Sequence, residues 1–209
     1  MPIPELHEYL KTIQPSHHIC LFYDSIESKH KVIYPFLADG LRNCKGIVYI
    51  YYEETPDQVR ENLAKYGVDV EPNERSSNIK LLHSDDWYMP GNKVEALRII
   101  NNWKAMHKEF EAKGLGMRIT GEVSGFFDRG KVRDLLRYEY ALHRFLDISM
   151  DAICSYNINN IIETGNLDMI MPLIRAHGKA IFAAEGGVMI MEPDDIEDMD
   201  VERLLDIEI

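Results

Sequence analysis

The chain has 209 residues, 45% of them hydrophobic and 28% charged, with a formal net charge of −12 at pH 7. That length suits one generous α/β domain or two very small ones, the composition suits a globular protein with a real core, and the negative charge disfavours nonspecific attraction to nucleic acid or anionic membranes. Every apolar run falls short of the ~20 residues a membrane helix needs.

The charge is uneven. Residues 192–209 hold nine acidic side chains and one basic one, so this tail carries −8 and leaves about −4 for the rest. No basic segment followed by an apolar one opens the chain, so no signal peptide is expected and a cytoplasmic location is inferred. The three cysteines, Cys20, Cys44 and Cys154, form no C-x-x-C pair, which points away from a zinc knuckle or redox motif. Cys20 and Cys154 sit in apolar strand-like runs and read as buried, reduced thiols.

In chain order, Ile3, Leu6, Tyr9, Leu10 and Ile13 have helical spacing, predicting a short helix ended by Pro15 that caps the domain or mediates a homodimer. Ile19-Cys20-Leu21-Phe22-Tyr23 is a buried strand that stops at Asp24-Ser25. Ser25 is the expected N-cap of a helix reaching Asn43, with Val32, Ile33, Phe36, Leu37 and Leu41 inward and a kink or restart at Pro35. A second strand, residues 47–52, ends at Glu53-Glu54. Thr55-Pro56 opens a helix whose inward face is Val59, Leu63 and Tyr66 and which Gly67 ends. Residues 68–77 read as a loop, residues 79–83 as a third strand, and residues 84–91 as a loop holding Asp85, Asp86, Trp87 and Tyr88. A long helix is predicted over 94–113, with Leu97, Ile100, Trp103 (or Ile99), Met106 or His107, and Phe110 buried. A fourth strand spans 115–120. A helix over 132–148 buries Leu135, Leu136, Tyr138 or Glu139, Leu142, Phe145 and Leu146. Residues 152–156 form a fifth strand, residues 167–176 a helix bent near Pro172, and residues 180–184 and 188–191 a hairpin.

Alternating strands and helices predict an α/β fold, a three-layer sandwich around a mainly parallel sheet with an antiparallel hairpin near the C-terminus. Residues 1–191 read as one domain, with the N-terminal helix in residues 1–15. The acidic tail, residues 192–209, holds room for a small helix over 201–207.

Ligands of open α/β sheets bind outside the carboxyl ends of the strands, so the candidate site residues are Tyr23, Asp24 and Ser25 after the first strand and Glu53 after the second. Trp87 and Tyr88 follow the third strand, and Tyr156 ends the fifth. Arg118, Thr120 and Glu122 share one face of the fourth strand. There Arg118 reads as a clamp for a polar group, held by Glu122 or Glu139, or as a structural salt bridge under a helix. Asp24 and Ser25 read equally as helix caps, and Trp87 as a lid packed on the core. His17, His18 and Cys20, or His83 with Asp85 and Asp86, invite a metal, but adjacent strand residues point apart, so no metal ligands are assigned and no cofactor is expected. His143 and His177 read as ordinary surface or helix residues. The turn after Tyr23 lacks P-loop glycines and lysine, and no G-x-S-x-G nucleophile is present, so the chain is not expected to be an enzyme.

Six pieces carry a family resemblance. They are His18-Ile19-Cys20-Leu21-Phe22-Tyr23-Asp24-Ser25, Phe36-Leu37-Ala38-Asp39-Gly40-Leu41, Trp87-Tyr88, Met117-Arg118-Ile119-Thr120-Gly121-Glu122, Tyr138-Glu139 and Ile153-Cys154-Ser155-Tyr156. In this order they resemble the MEDS domain, the sensory domain named from methanogens and methylotrophs and typified by a dichloromethane-responsive repressor. The resemblance implies a RecA- or KaiC-like fold that has lost its nucleotide loop. It also implies a sensor input for signal transduction that recognises one-carbon or simple hydrocarbon derivatives. Members are often fused to a helix-turn-helix or a histidine kinase. Here the expectation is a small organic ligand and a separate protein partner, a kinase or transcription regulator, with no direct nucleic-acid or membrane contact. A residual nucleotide ATPase and a pure interaction module are the alternatives.

Overall fold

The computed structural model describes residues 3–13 and 18–191, with side chains from residue 5 onward. Pro15, His17 and the acidic tail lie outside the described residues. Seven strands form one sheet: β1 His18–Tyr23, β2 Lys45–Tyr51, β3 Ile79–His83, β4 Gly116–Glu122, β5 Met150–Asn157, β6 Gly178–Ala184 and β7 Gly187–Met191. Their order is β3-β2-β4-β5-β1-β6-β7, parallel throughout except for the antiparallel β6–β7 pair. The expected three-layer α/β fold is therefore the one observed.

The helices are α1 Ile3–Lys11, α2 Ile26–Arg42, α3 Pro56–Lys65, α4 Val70–Arg75, α5 Ser84–Tyr88, α6 Ala96–Glu111, α7 Ser124–Asp128, α8 Val132–Phe145, α9 Ile158–Glu163 and α10 Ile170–His177. α1, α2 and α3 cover the face that carries Ile19, Leu21, Tyr23, Ile47 and Tyr49. α6, α8 and α10 cover the face that carries Cys20, Phe22, Val48, Cys154 and Tyr156. Burial on both faces explains why β1, β2 and β5 are continuous apolar runs rather than alternating ones.

Local chemistry sets the boundaries. Ser25 caps α2 by accepting from the Ser28 amide. Thr55 caps α3 in a reciprocal capping box with Gln58, and Pro56 takes the first helical position. Gly178, at φ 79°, turns α10 directly into β6.

Of the kink or restart expected at Pro35, the restart is not observed, since α2 is continuous through it. Other expectations are corrected. Residues 68–77 and 84–91 are not plain loops: they hold α4, α5 and a 3-10 turn at Pro90–Asn92. Leu97 is 73% exposed and Phe145 61%, so neither is core. α8 ends at Phe145 and α6 starts at Ala96, so each of these residues sits on a terminal turn where the helix face has rotated away from the sheet.

Gly46 on β2 shows how closely α6 approaches the sheet. A methyl group there would lie 2.1 Å from the buried Phe110 ring. Gly46→Ala should therefore lose about 1–3 kcal/mol through overpacking, seen as a lower urea midpoint at unchanged slope, and a double variant with Phe110→Leu should recover part of that loss.

Candidate functional site

The helical face of α2 that buries Val32, Ile33 and Phe36 also carries Lys29, one turn earlier and fully buried. An ammonium in that position needs partners, because an unpaired buried charge is costly. The carboxyl ends of β2 and β4 supply them. Lys29 Nζ lies 2.5 Å from Glu122 Oε1, 3.1 Å from Glu54 Oε2 and 3.5 Å from Glu53 Oε2.

Each carboxylate is held in turn. Glu122 Oε2 accepts the backbone amides of Tyr52 and Glu53 at 2.6 Å. The Tyr49 hydroxyl sits between Glu122 and Glu54. Glu54 Oε1 accepts from Tyr34 at 2.7 Å and from Asn62 at 3.0 Å, with His30 Nε2 also at 3.0 Å. Tyr23 donates to Glu53 Oε2 at 2.8 Å, and Ser124 and Asn157 donate to Glu53 Oε1. Burial alone would raise the Glu54 carboxyl, but His30, Lys29, Tyr34 and Tyr49 outweigh it and hold it well below the ordinary value of 4.5. Burial, then Glu122 and Glu54, push the Tyr49 hydroxyl well up. Three carboxylates around one ammonium leave this end of the sheet with excess negative charge, and the ammonium has little left to offer an incoming anion.

Beside this cluster lies an open cleft of about 470 Å³ at the carboxyl ends of β1 and β6. Phe22, Tyr23 and Asp24 form one wall, Ile158 of α9 another, and Phe182 and Met189 of the hairpin a third. Phe182 stacks on Phe22 at 5.1 Å between centroids, and Phe22 stacks on Tyr156 at 5.2 Å. Asp24 pins the rim: its amide donates to Ala183 O, its carboxylate accepts from Ser25 Oγ and the Glu185 amide, and its carbonyl accepts from Asn159. Hydrogen bonds from Ser28 and then Glu185 and Ser25 outweigh its slight desolvation and lower the Asp24 carboxyl. A mostly apolar cleft with one carboxylate on its rim suits a small organic molecule.

The residues singled out in the sequence fall into several separate places. Tyr23, Glu53 and Glu122 meet at Lys29, while Asp24 and Ser25 stand at the cleft rim and the α2 cap. Trp87 packs on Trp103 at 4.5 Å, and Tyr88 is buried against Phe126 and Tyr138, so both belong to the core under α5. Arg118 is not held by Glu122 or Glu139. It lies near the amino end of β4, where its guanidinium donates to Asp151 at 2.9 Å, Asp39 at 3.0 Å and Phe36 O at 2.9 Å, while Lys45 also pairs with Asp151. That is a structural ion network under α2. Thr120 is buried between the two groups on the same face, and its hydroxyl has no hydrogen-bond partner among the described residues.

Glu139 and Tyr156 occupy the opposite face of the sheet, bonded to each other at 2.9 Å beside His18, Cys154 and His177. Of the two readings of His177, surface or helix residue, the surface one is overturned: it is buried at the end of α10. Burial, with the neighbouring ring of His143, pushes His18 down to about 3, and burial with His18 pushes His177 down to about 3. Lys29, Glu139 and His177 were each legible as ionisable residues on an otherwise apolar helix face: Lys29 precedes Val32 and Ile33, Glu139 follows Leu135 and Leu136, and His177 follows Leu173 and Ile174. The cleft's Phe182 and Ile158 carried no such signal.

The sequence model of the MEDS family, described as the methanogen/methylotroph, DcmR sensory domain, matches residues 17–177. Among solved structures, the KaiC-like protein PH0186 from the hyperthermophilic archaeon Pyrococcus horikoshii OT3 is similar, with a TM-score of 0.58 at 12% identity over 85% of this chain and 79% of that one. At that identity the likeness is one of fold. No curated protein matches the chain. Among the described residues, no helix is long and apolar enough to cross a membrane.

Lys29→Met strips the ammonium from three carboxylates and should cost about 3–5 kcal/mol, measured as a fall in the urea midpoint. Because Glu54 is held below 4.5 in the folded chain, the unfolded chain binds more protons as the pH drops past that value. Its contribution is complete above that pH and lost below it, so Glu54→Gln should flatten the acid limb of the stability curve.

Proposed function

The chain belongs to the MEDS family of sensory domains, and on that premise we propose that it binds a small organic molecule, a one-carbon or simple hydrocarbon derivative, in the cleft at the carboxyl ends of β1 and β6. The observation that carries this reading is the pairing of that apolar cleft with a strand-to-helix turn whose lysine is already neutralised. A triphosphate would need backbone amides and a free ammonium at the turn after β1. The chain offers instead the Asp24 carboxylate, the Ser25 hydroxyl and an ammonium within 3.5 Å of three carboxylates. The same argument speaks against ATP hydrolysis at this turn.

The signal passes by protein contact to a kinase or transcription regulator. Ile162, Leu167 and Met171 support this output: they are exposed apolar residues on the segment that follows the cleft's Ile158. A surface of that kind is suited to contact with another protein.

A thermal-shift panel of dichloromethane, methanol, methylamine and short-chain homologues, with ATP alongside, tests the reading. A ligand present at about 100 times its Kd should raise Tm by about 5–10 °C. Phe182→Ala should weaken that ligand by about tenfold or more, because burying such a ring is worth ~1.5–3 kcal/mol. Stabilisation by ATP with none from the organic compounds would overturn the proposal.

A further inference from the structure

On the face of the sheet turned away from Lys29, four donor atoms converge inside the core. His18 Nε2 comes from the start of β1, Cys154 Sγ from β5, Glu139 Oε2 from α8 and His177 from the last turn of α10. All four lie within 4.8 Å of one another. The separations are 3.1 Å for His18–Cys154, 3.3 Å for His18–Glu139, 3.5 Å for His177–Glu139 and 3.8 Å for Cys154–Glu139. As hydrogen bonds these are long or crowded, since one carboxylate oxygen faces two imidazoles and a thiol. Three of the four match the edges of a coordination tetrahedron, since bonds of about 2.0–2.3 Å to zinc set ligand atoms about 3.3–3.8 Å apart, and the His18–Cys154 pair is slightly closer than that.

Surrounding groups orient two of the four donors as a metal site requires, while His18 Nδ1 has no hydrogen-bond partner among the described residues. His177 Nδ1 donates to Leu173 O at 2.7 Å, which leaves its Nε2 lone pair facing the cluster. Tyr156 donates to Glu139 Oε1 at 2.9 Å, which leaves Oε2 facing inward. The His177, Glu139 and Cys154 side chains are buried, and His18 is 10% exposed. A narrow cleft of about 60 Å³, lined by His18, Leu142 and His143, lies beside the cluster on the His18 side.

We propose that His18, Glu139, Cys154 and His177 bind one divalent transition-metal cation of the zinc type. With four protein ligands the site is closed, so the ion is structural and ties β1, β5, α8 and α10 together. On binding, the Cys154 thiol proton leaves to solvent, and the resulting thiolate and the Glu139 carboxylate neutralise the dication.

The test uses the full chain, dialysed against chelator and titrated with Co(II) and then Zn(II). One equivalent of Co(II) should give tetrahedral visible bands and a thiolate charge-transfer band, both abolished by Zn(II), which binds more tightly. Cys154→Ser should lose the charge-transfer band. Cys20→Ser should keep it, because the Cys20 thiol is directed to Lys179 O. Tyr156→Phe should keep the spectrum but weaken affinity by about 10–100-fold. The exposed Cys44 is the adventitious alternative: a band lost in Cys44→Ser and kept in Cys154→Ser overturns the proposal. Should Cys154→Ser fail to fold, the wild-type and Cys44→Ser spectra decide, and an octahedral spectrum without thiolate character overturns it.

Discussion

The Lys29 ammonium is the constraint on which the carboxyl end of this sheet depends. It joins the first turn of α2 to the ends of β2 and β4 through Glu53, Glu54 and Glu122. Tyr23, Tyr34 and Tyr49 are drawn in because those carboxylates need further donors. A hydrophobic set of similar volume would pack there at no greater cost in stability. What it would not do is fix the register of α2 over the strand ends, since apolar packing is non-directional, whereas this network fits one placement. The same network accounts for the missing glycine cradle: α2 begins at a side-chain cap, Ser25, and the space inside its first turn is occupied by charge from the protein itself.

Much of the fold was legible because burial on both faces writes strands as continuous apolar runs. β3 was placed to the residue, and the closing hairpin nearly so. The misreadings have two causes. Leu97 and Phe145 extend an apolar period by one step at a helix end, where the helix no longer lies on the sheet. The short helices α4, α5, α7 and α9 span five or six residues each, less than two turns, so no period could be read from them.

The site was less legible than the fold because its parts come from different elements. Tyr23 and Asp24 were found because a strand that stops in a charge is visible locally. Lys29 was passed over because helices tolerate lysine, and only its neighbours Val32, Ile33 and Phe36 mark it as inward. Arg118 and Glu122 share a face, as alternation requires, yet they serve networks at opposite ends of β4. Strand periodicity gives the side of the sheet and says nothing of which end is occupied by which partner.

β1 links the three polar and apolar features of the molecule, and the reason is its place in the sheet order. It lies between β5 and β6, so both of its edges are paired, and its carboxyl end opens on the hairpin. Alternation sends Tyr23 to Glu53 on the α2 face and sends His18, Cys20 and Phe22 to the other. On that second face Phe22 belongs to the cleft wall and stacks on Tyr156, which in turn holds Glu139. A molecule seated against Phe22 and Phe182 therefore presses on a ring that contacts the group orienting the His18–Glu139–Cys154–His177 cluster. Close-packed rings transmit displacement because the core has no slack to absorb it. This gives the sensory reading a contiguous path from cleft to the packing of α8 and α10, though contiguity alone does not make coupling: that requires an element with two arrangements, one favoured by the occupied cleft. α10 is the element that joins the two ends of this path, since it packs on α8 and β6, it presents His177 to the cluster, and it turns into the cleft-forming strand β6 at Gly178 with no intervening loop.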